Sequence, residues 1–245
     1  HLHVERRVNG IWTWERYVPE AFQDPRKVKY AEEAKAHPDS WGAKFYPRSV
    51  REEWYDDRCY DAFSVLGNVR NGYGFAGVPT GGGFVPISDN RGIPEDLSPE
   101  LRAAVDLYYK DYGDSVNPDA AIDGFGDHSQ SWVTLAELQE YKWEEGVLKM
   151  GVVPYKEWIP SHRPTGDWCG GISGPKIKIV NAMGHREERV RAEADPLVAA
   201  GFEVHIQTCW TESASELVGS LKTRLIPALE SLGGDPNDIR IVFEG

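Results

Sequence analysis

The chain has 245 residues and a formal net charge of −12. That balance argues against wrapping around nucleic acid, which rests on cationic contacts to phosphate, although it leaves room for a local basic pocket. Nine Trp, eleven Tyr and eight Phe are enough for a sizeable core, no apolar run approaches the roughly 18 residues of a membrane span, and no signal peptide is visible.

In chain order, HLHVERRV-NG-IWTWERYV predicts a hairpin over residues 2–18, because Asn9-Gly10 supplies the two positive-φ positions of a type I′ turn. Asp24-Pro25 reads as cap and first residue of a charged helix to about Ala36. Trp41 to Tyr55 is predicted extended, and Asp57 to Val69 helical. A glycine-rich stretch follows, with glycines at 67, 72, 74, 77, 81, 82, 83 and 92. Long irregular stretches in folded domains are usually binding loops or lids, and Tyr73, Phe75 and Phe84 argue against disorder here.

Ser98-Pro99-Glu100 opens the next helix, with Leu101, Val105, Tyr108 and Tyr112 on one stripe. Asp114 to Ser131 reads as loop. Thr134-x-x-Glu137 is a capping box flanked by the staple pair Val133 and Leu138, and its helix should run to about Trp143. Gly146 to Ile159 has room for one or two strands, and Pro160 to Pro175 reads as loop.

KIKIVNA is a strand, and Glu187 to Ala200 is helical but broken at Asp195-Pro196. Phe202, Val204, Ile206 and Trp210 alternate in a second strand, whose polar face carries a solvent-facing His205. Ser213-x-x-Glu216 caps a helix bearing Leu217, Leu221, Leu225 and Leu229, which Pro227 should kink and Gly233-Gly234 should stop before the strand IRIVF. The two strands are expected to pair in one sheet under the leucine stripe. The fold class is therefore α+β: one domain over 1–245, with a mixed sheet, an N-terminal hairpin, a C-terminal strand-helix-strand unit inside a subregion 176–245, and a long glycine-rich functional loop.

The sharpest candidate site is DGFGDHSQSW, residues 123–132, leading to the capped helix. The free N–H groups of a helix start favour an anion, and His128, Ser129, Gln130 and Ser131 bring a titratable ring and hydrogen-bonding groups to that place. Arg70 and Arg91 bracket the glycine-rich stretch and, with Gly72, Tyr73 and Gly74, could hold a phosphate or carboxylate. Two readings stay open for these arginines, ligand binding or pairing with Asp61, Asp89 or Glu95. For catalysis, His128 is the candidate general acid/base, oriented by Asp127 or Asp61. A Cys59, His128 and Asp61 triad has no supporting motif. Asp119, Asp123 and Asp127 lack EF-hand spacing, so no metal site is assigned, and no cofactor either. Cys59, Cys169 and Cys209 are odd in number with no Cys-x-x-Cys, which predicts reduced, buried thiols. His185 could pair with Glu188. The cations at 176, 178, 186, 189 and 191 form the one basic cluster and read as a solvated face.

The order CYDAFSVLGNVRNGYGF, PISDNRGIPEDLS, DHSQSWVTLAEL, GGISG and LGGDPNDIRIVFEG resembles a group of uncharacterised accessory proteins of tailed bacteriophages. The resemblance covers roughly residues 55–175 and 203–243. It implies a setting, the cytoplasm of the bacterial host, but no activity and no transferable catalytic residue. Three functions follow as expectations. The first is binding of a small anionic, nucleotide-like ligand, as in countering host defence signalling. The second is a hydrolase or transferase built on His128. The third is an acidic protein-interaction module aimed at a host protein.

Overall fold

The computed structural model describes residues 2–23, 25–37, 54, 60–74, 77–111, 129–165 and 172–244. The fold is mixed α+β and divides into two compact units. The first comprises His1–Val69, Pro86–Lys142 and Val218–Gly245, and the second Arg70–Val85 and Trp143–Leu217.

The first unit is built on a four-stranded antiparallel sheet ordered β2-β1-β7-β3, from β1 (Leu2–Val8), β2 (Ile11–Glu15), β3 (Gln130–Thr134) and β7 (Ile239–Glu244). Asn9 (φ 52°) and Gly10 (φ 81°) close the hairpin, so Val8 pairs with Ile11 as the type I′ reading requires. Residues 239–243 of β7 are all buried, because both faces of the sheet are covered. One face carries Val4, Val133, Ile241 and Phe243, with helix Tyr60–Gly67 lying so close that a Cβ on Gly67 would sit 3.2 Å from the Phe243 ring. The other carries Trp14 and Val242, packed under Leu101, Ala104 and Val105 of helix Pro99–Asp111. Ser98 caps that helix, its Oγ accepting from the Leu101 N–H.

The second unit has a three-stranded sheet ordered β4-β6-β5, from β4 (Gly146–Pro154), β5 (Ile177–Asn181) and β6 (Glu203–Ser213). β4 is antiparallel to β6 and β5 parallel to it, with helix Glu187–Ala199 as the crossover. Val153, Val180, Val204, Ile206 and Trp210 share one face by register and pack with Tyr155 and Trp158 of helix Tyr155–Ser161 and with Val190 and Ala194 of helix Glu187–Ala199. The glycine-rich segment lies along β4: Gly82 N–H donates to Leu148 O (2.6 Å) and Met150 N–H to Thr80 O (2.9 Å). Gly81 (φ 108°) is required there, since a Cβ would fall 2.4 Å from Leu148 O. Asn71 closes the loop, its amide donating to Phe84 O and accepting from Phe84 N–H, both at 2.7 Å.

Several expectations are corrected. Phe202–Trp210 and Ile239–Phe243 do not pair. β6 lies between β4 and β5, whereas β7 joins β1 and β3, because Leu2 to Arg6 supply a full antiparallel register to β7. Leu221, Leu225 and Leu229 are buried and Leu217 half-buried, as a packed stripe requires. Pro227 follows a π-helical turn, Leu221–Leu225, in which Ile226 N–H reaches back to Leu221 O, and stands in the first turn of helix Ile226–Glu230. Residues 130 and 131 are strand rather than loop, and the capped helix is Leu135–Glu140. Tyr155 to Ile159 are helical, burying Tyr155 and Trp158 three residues apart. Helix Glu187–Ala199 continues through Pro196, anchored by buried Val190 and Ala194. His205 is 4% exposed and not solvent-facing, since Pro154 and Ile179 flank it in register. Cys209 is exposed. His185 Nδ1 meets Arg189 Nη1 at 3.5 Å, a different partner from Glu188.

Candidate functional site

Arg91 is the best-defined of the sequence-predicted site residues. Its Nη2 donates to Glu137 Oε1 (2.5 Å) and its Nη1 to Glu137 Oε2 (3.0 Å), while its guanidinium carbon lies 4.6 Å from the Trp132 ring centroid. Glu137 is the capping-box residue, accepting from Thr134 N–H at 2.8 Å. Burial pushes the Glu137 carboxyl up, but the Arg91 hydrogen bond and the Thr134 N–H outweigh it and hold the group below the usual carboxylate range. The guanidinium thus meets the ion-pairing reading, with a different carboxylate from those expected. Ser131 is fully buried in β3 and its Oγ accepts from Arg91 N–H (3.0 Å), so it joins loop to sheet.

Arg70 (φ 52°), Gly72 (φ 83°) and Gly74 form the turn that opens the glycine-rich segment of the second unit, and Tyr73 there is 54% exposed. Asp61 lies in the first turn of helix Tyr60–Gly67, and Ser129 immediately precedes β3. His128 and Asp127, with Asp119, Asp123, Cys59 and Cys169, lie outside the described residues.

Two charged arrangements escaped the sequence reading. In the first unit, Arg240 Cζ lies 3.9 Å from the Trp12 ring centroid and 5.5 Å from that of Trp132, and Arg7 Cζ lies 5.3 Å from the Trp12 centroid. Arg7, Trp12, Arg240, Trp132 and Arg91 make a ladder in which Asp238, Glu5 with Asp96, and Glu137 neutralise the three cations. In the second unit, Tyr155 OH donates to Asp195 Oδ1 (2.7 Å), and Arg191 Nε donates to Glu187 Oε1 (2.6 Å). Glu187 Oε2 in turn lies 3.2 Å from Nε2 of His162, whose ring stacks on Trp158. Burial, then the bond to Asp195, pushes the Tyr155 hydroxyl up, so it stays protonated as a donor. Each cation here is matched to a carboxylate, which serves cohesion better than chemistry.

The second unit also exposes an apolar surface. Both packed helices occupy one face of its sheet, and the register turns Leu148, Met150, Val152, Ile177, Ile179 and Cys209 to the other, interspersed with Asn181, Glu203, Gln207, Thr211 and the buried His205. Leu148 is 58% and Ile179 49% exposed. The alternation in KIKIVN and GVLKMGVV carried this signal, but not which face the helices would take.

No family model, no curated protein and no solved structure matches the chain. Among the described residues there is no cluster of three or more His, Cys, Asp or Glu suited to a metal ion, and no helix long and apolar enough to cross a membrane.

Proposed function

We propose that the protein is an interaction module that docks another protein on the apolar face of its three-stranded sheet. The observation carrying this reading is the exposure of Leu148 and Ile179 on a face that, among the described residues, none of the packed helices covers. A sheet normally buries such a face against a second layer, and large apolar side chains left exposed on it suit a protein contact. The setting, a phage accessory protein acting on a host protein in the host cytoplasm, is supported by the sequence resemblance alone. Cys209 lies on the same face, paired in register with Met150, and offers a native attachment point.

A photo-crosslinker attached to Cys209, in a chain carrying C59S and C169S, tests the reading in lysate of the bacterial host. One discrete protein adduct that disappears when Leu148→Glu is added would support it. No adduct, or adducts indifferent to L148E, would overturn it.

A further inference from the structure

We infer that the outer edge of β5 takes up an acidic, extended segment of the partner as an added strand, which rests on the interaction reading above. Among the described residues, β5 pairs on one side only. Lys176 O accepts from Glu203 N–H and Ala182 N–H donates to Gln207 O, so the backbone groups of alternate, even-numbered residues serve β6. The N–H and C=O of Ile179 and Asn181 therefore point away from the sheet, as a template for another strand.

Charge selects the occupant. Residues 176–191 hold Lys176, Lys178, Arg186, Arg189 and Arg191 against only Glu187 and Glu188, in a chain of net charge −12. Arg191 is paired with Glu187, whereas Lys176, Lys178, Arg186 and Arg189 are exposed and make no ion pair among the described residues. Lysines on an edge repel cationic strands and do nothing to anchor a neutral one, but opposite an acidic strand they become attractive. The pleat fixes the pattern further. Ile177 and Ile179 point to the open face, and Lys178 points to the helix face, its Nζ 4.9 Å from the Phe202 ring centroid. A matching strand alternates apolar residues with acidic ones.

The test uses the full chain and two short peptides, one alternating Glu with Val and one alternating Lys with Val, with amide hydrogen exchange resolved at Ile179 and Asn181. The Glu/Val peptide should slow exchange at both amides. The double substitution Lys176→Glu, Lys178→Glu should weaken it about tenfold or more and turn preference toward the Lys/Val peptide. Equal protection by both peptides would overturn the acidic partner while leaving the docking reading intact. Protection by neither, with the Leu148-dependent Cys209 adduct still formed, would overturn the added strand alone. A single-stranded oligonucleotide that binds through Lys176 and Lys178 without protecting Ile179 would overturn the inference by showing a phosphate-binding face.

Discussion

Glu5 and Arg240 stand opposite one another on neighbouring strands β1 and β7, with Arg240 Nε 2.8 Å from Glu5 Oε2 and both side chains sealed from water. The other Glu5 oxygen accepts from Ser98 N–H at 2.7 Å, so the same carboxylate fixes the start of helix Pro99–Asp111 over the sheet. The pair is saturated with hydrogen bonds, which is the condition under which a buried ion pair is tolerated.

Removing one member leaves the other charged and buried. Arg240→Met should therefore cost about 3–5 kcal/mol in urea unfolding, and the double variant Glu5→Leu, Arg240→Met should recover a large part of that loss. A single variant as stable as the parent would mean that Glu5 finds another partner.

Gly81 and Gly77 both have positive φ, 108° and 74°, but only Gly81 has backbone against its missing Cβ. Gly77→Ala should cost about 1–2 kcal/mol from conformation alone. Gly81→Ala should cost more and speed amide exchange at Gly82 and Met150, whose bonds to Leu148 O and Thr80 O depend on that approach.

The Glu137 carboxyl is held below its ordinary value of 4.5 when folded. Its contribution is thus fully present above that value and is lost as pH falls through the lower folded one. Unfolding measured across the acid range should show a steeper decline for the parent than for Glu137→Gln, and Arg91→Met should flatten the same limb.

Leu221 is 2% exposed, and Leu221→Ala should lower stability by about 2–5 kcal/mol. Thermal unfolding of the variant at the parent's midpoint would indicate that the helical run repacks without it.

What was legible in the sequence was what neighbours in the chain decide. Asn9-Gly10 dictates its own turn, Thr134 and Glu137 satisfy each other's backbone, and the leucine spacing marks a buried stripe. Strand partners were not legible, because alternation in Phe202–Trp210 and Ile239–Phe243 is compatible with any neighbour, and only long-range register gives β7 to β1. Tyr155–Ile159 has strand-like composition, yet burying Tyr155 and Trp158 on one face wins. Among the residues proposed for ligand binding, the Arg91 guanidinium is held by Glu137 and the Ser131 hydroxyl by the loop backbone, partners that no local pattern announces. The open sheet face was hidden for a related reason: a sequence shows two faces to a strand without saying which one the helices cover.

The docking face is tested most directly by the dissociation constant of the purified protein captured at Cys209, measured for the parent, Leu148→Glu and Ile11→Glu. Ile11 is the control, an apolar residue 65% exposed on the hairpin of the first unit. The account predicts binding about tenfold or more weaker for L148E and unchanged for I11E, since a charge placed in a buried apolar contact costs at least about 1.4 kcal/mol. Unchanged affinity for L148E, or an equal loss for I11E, would contradict it.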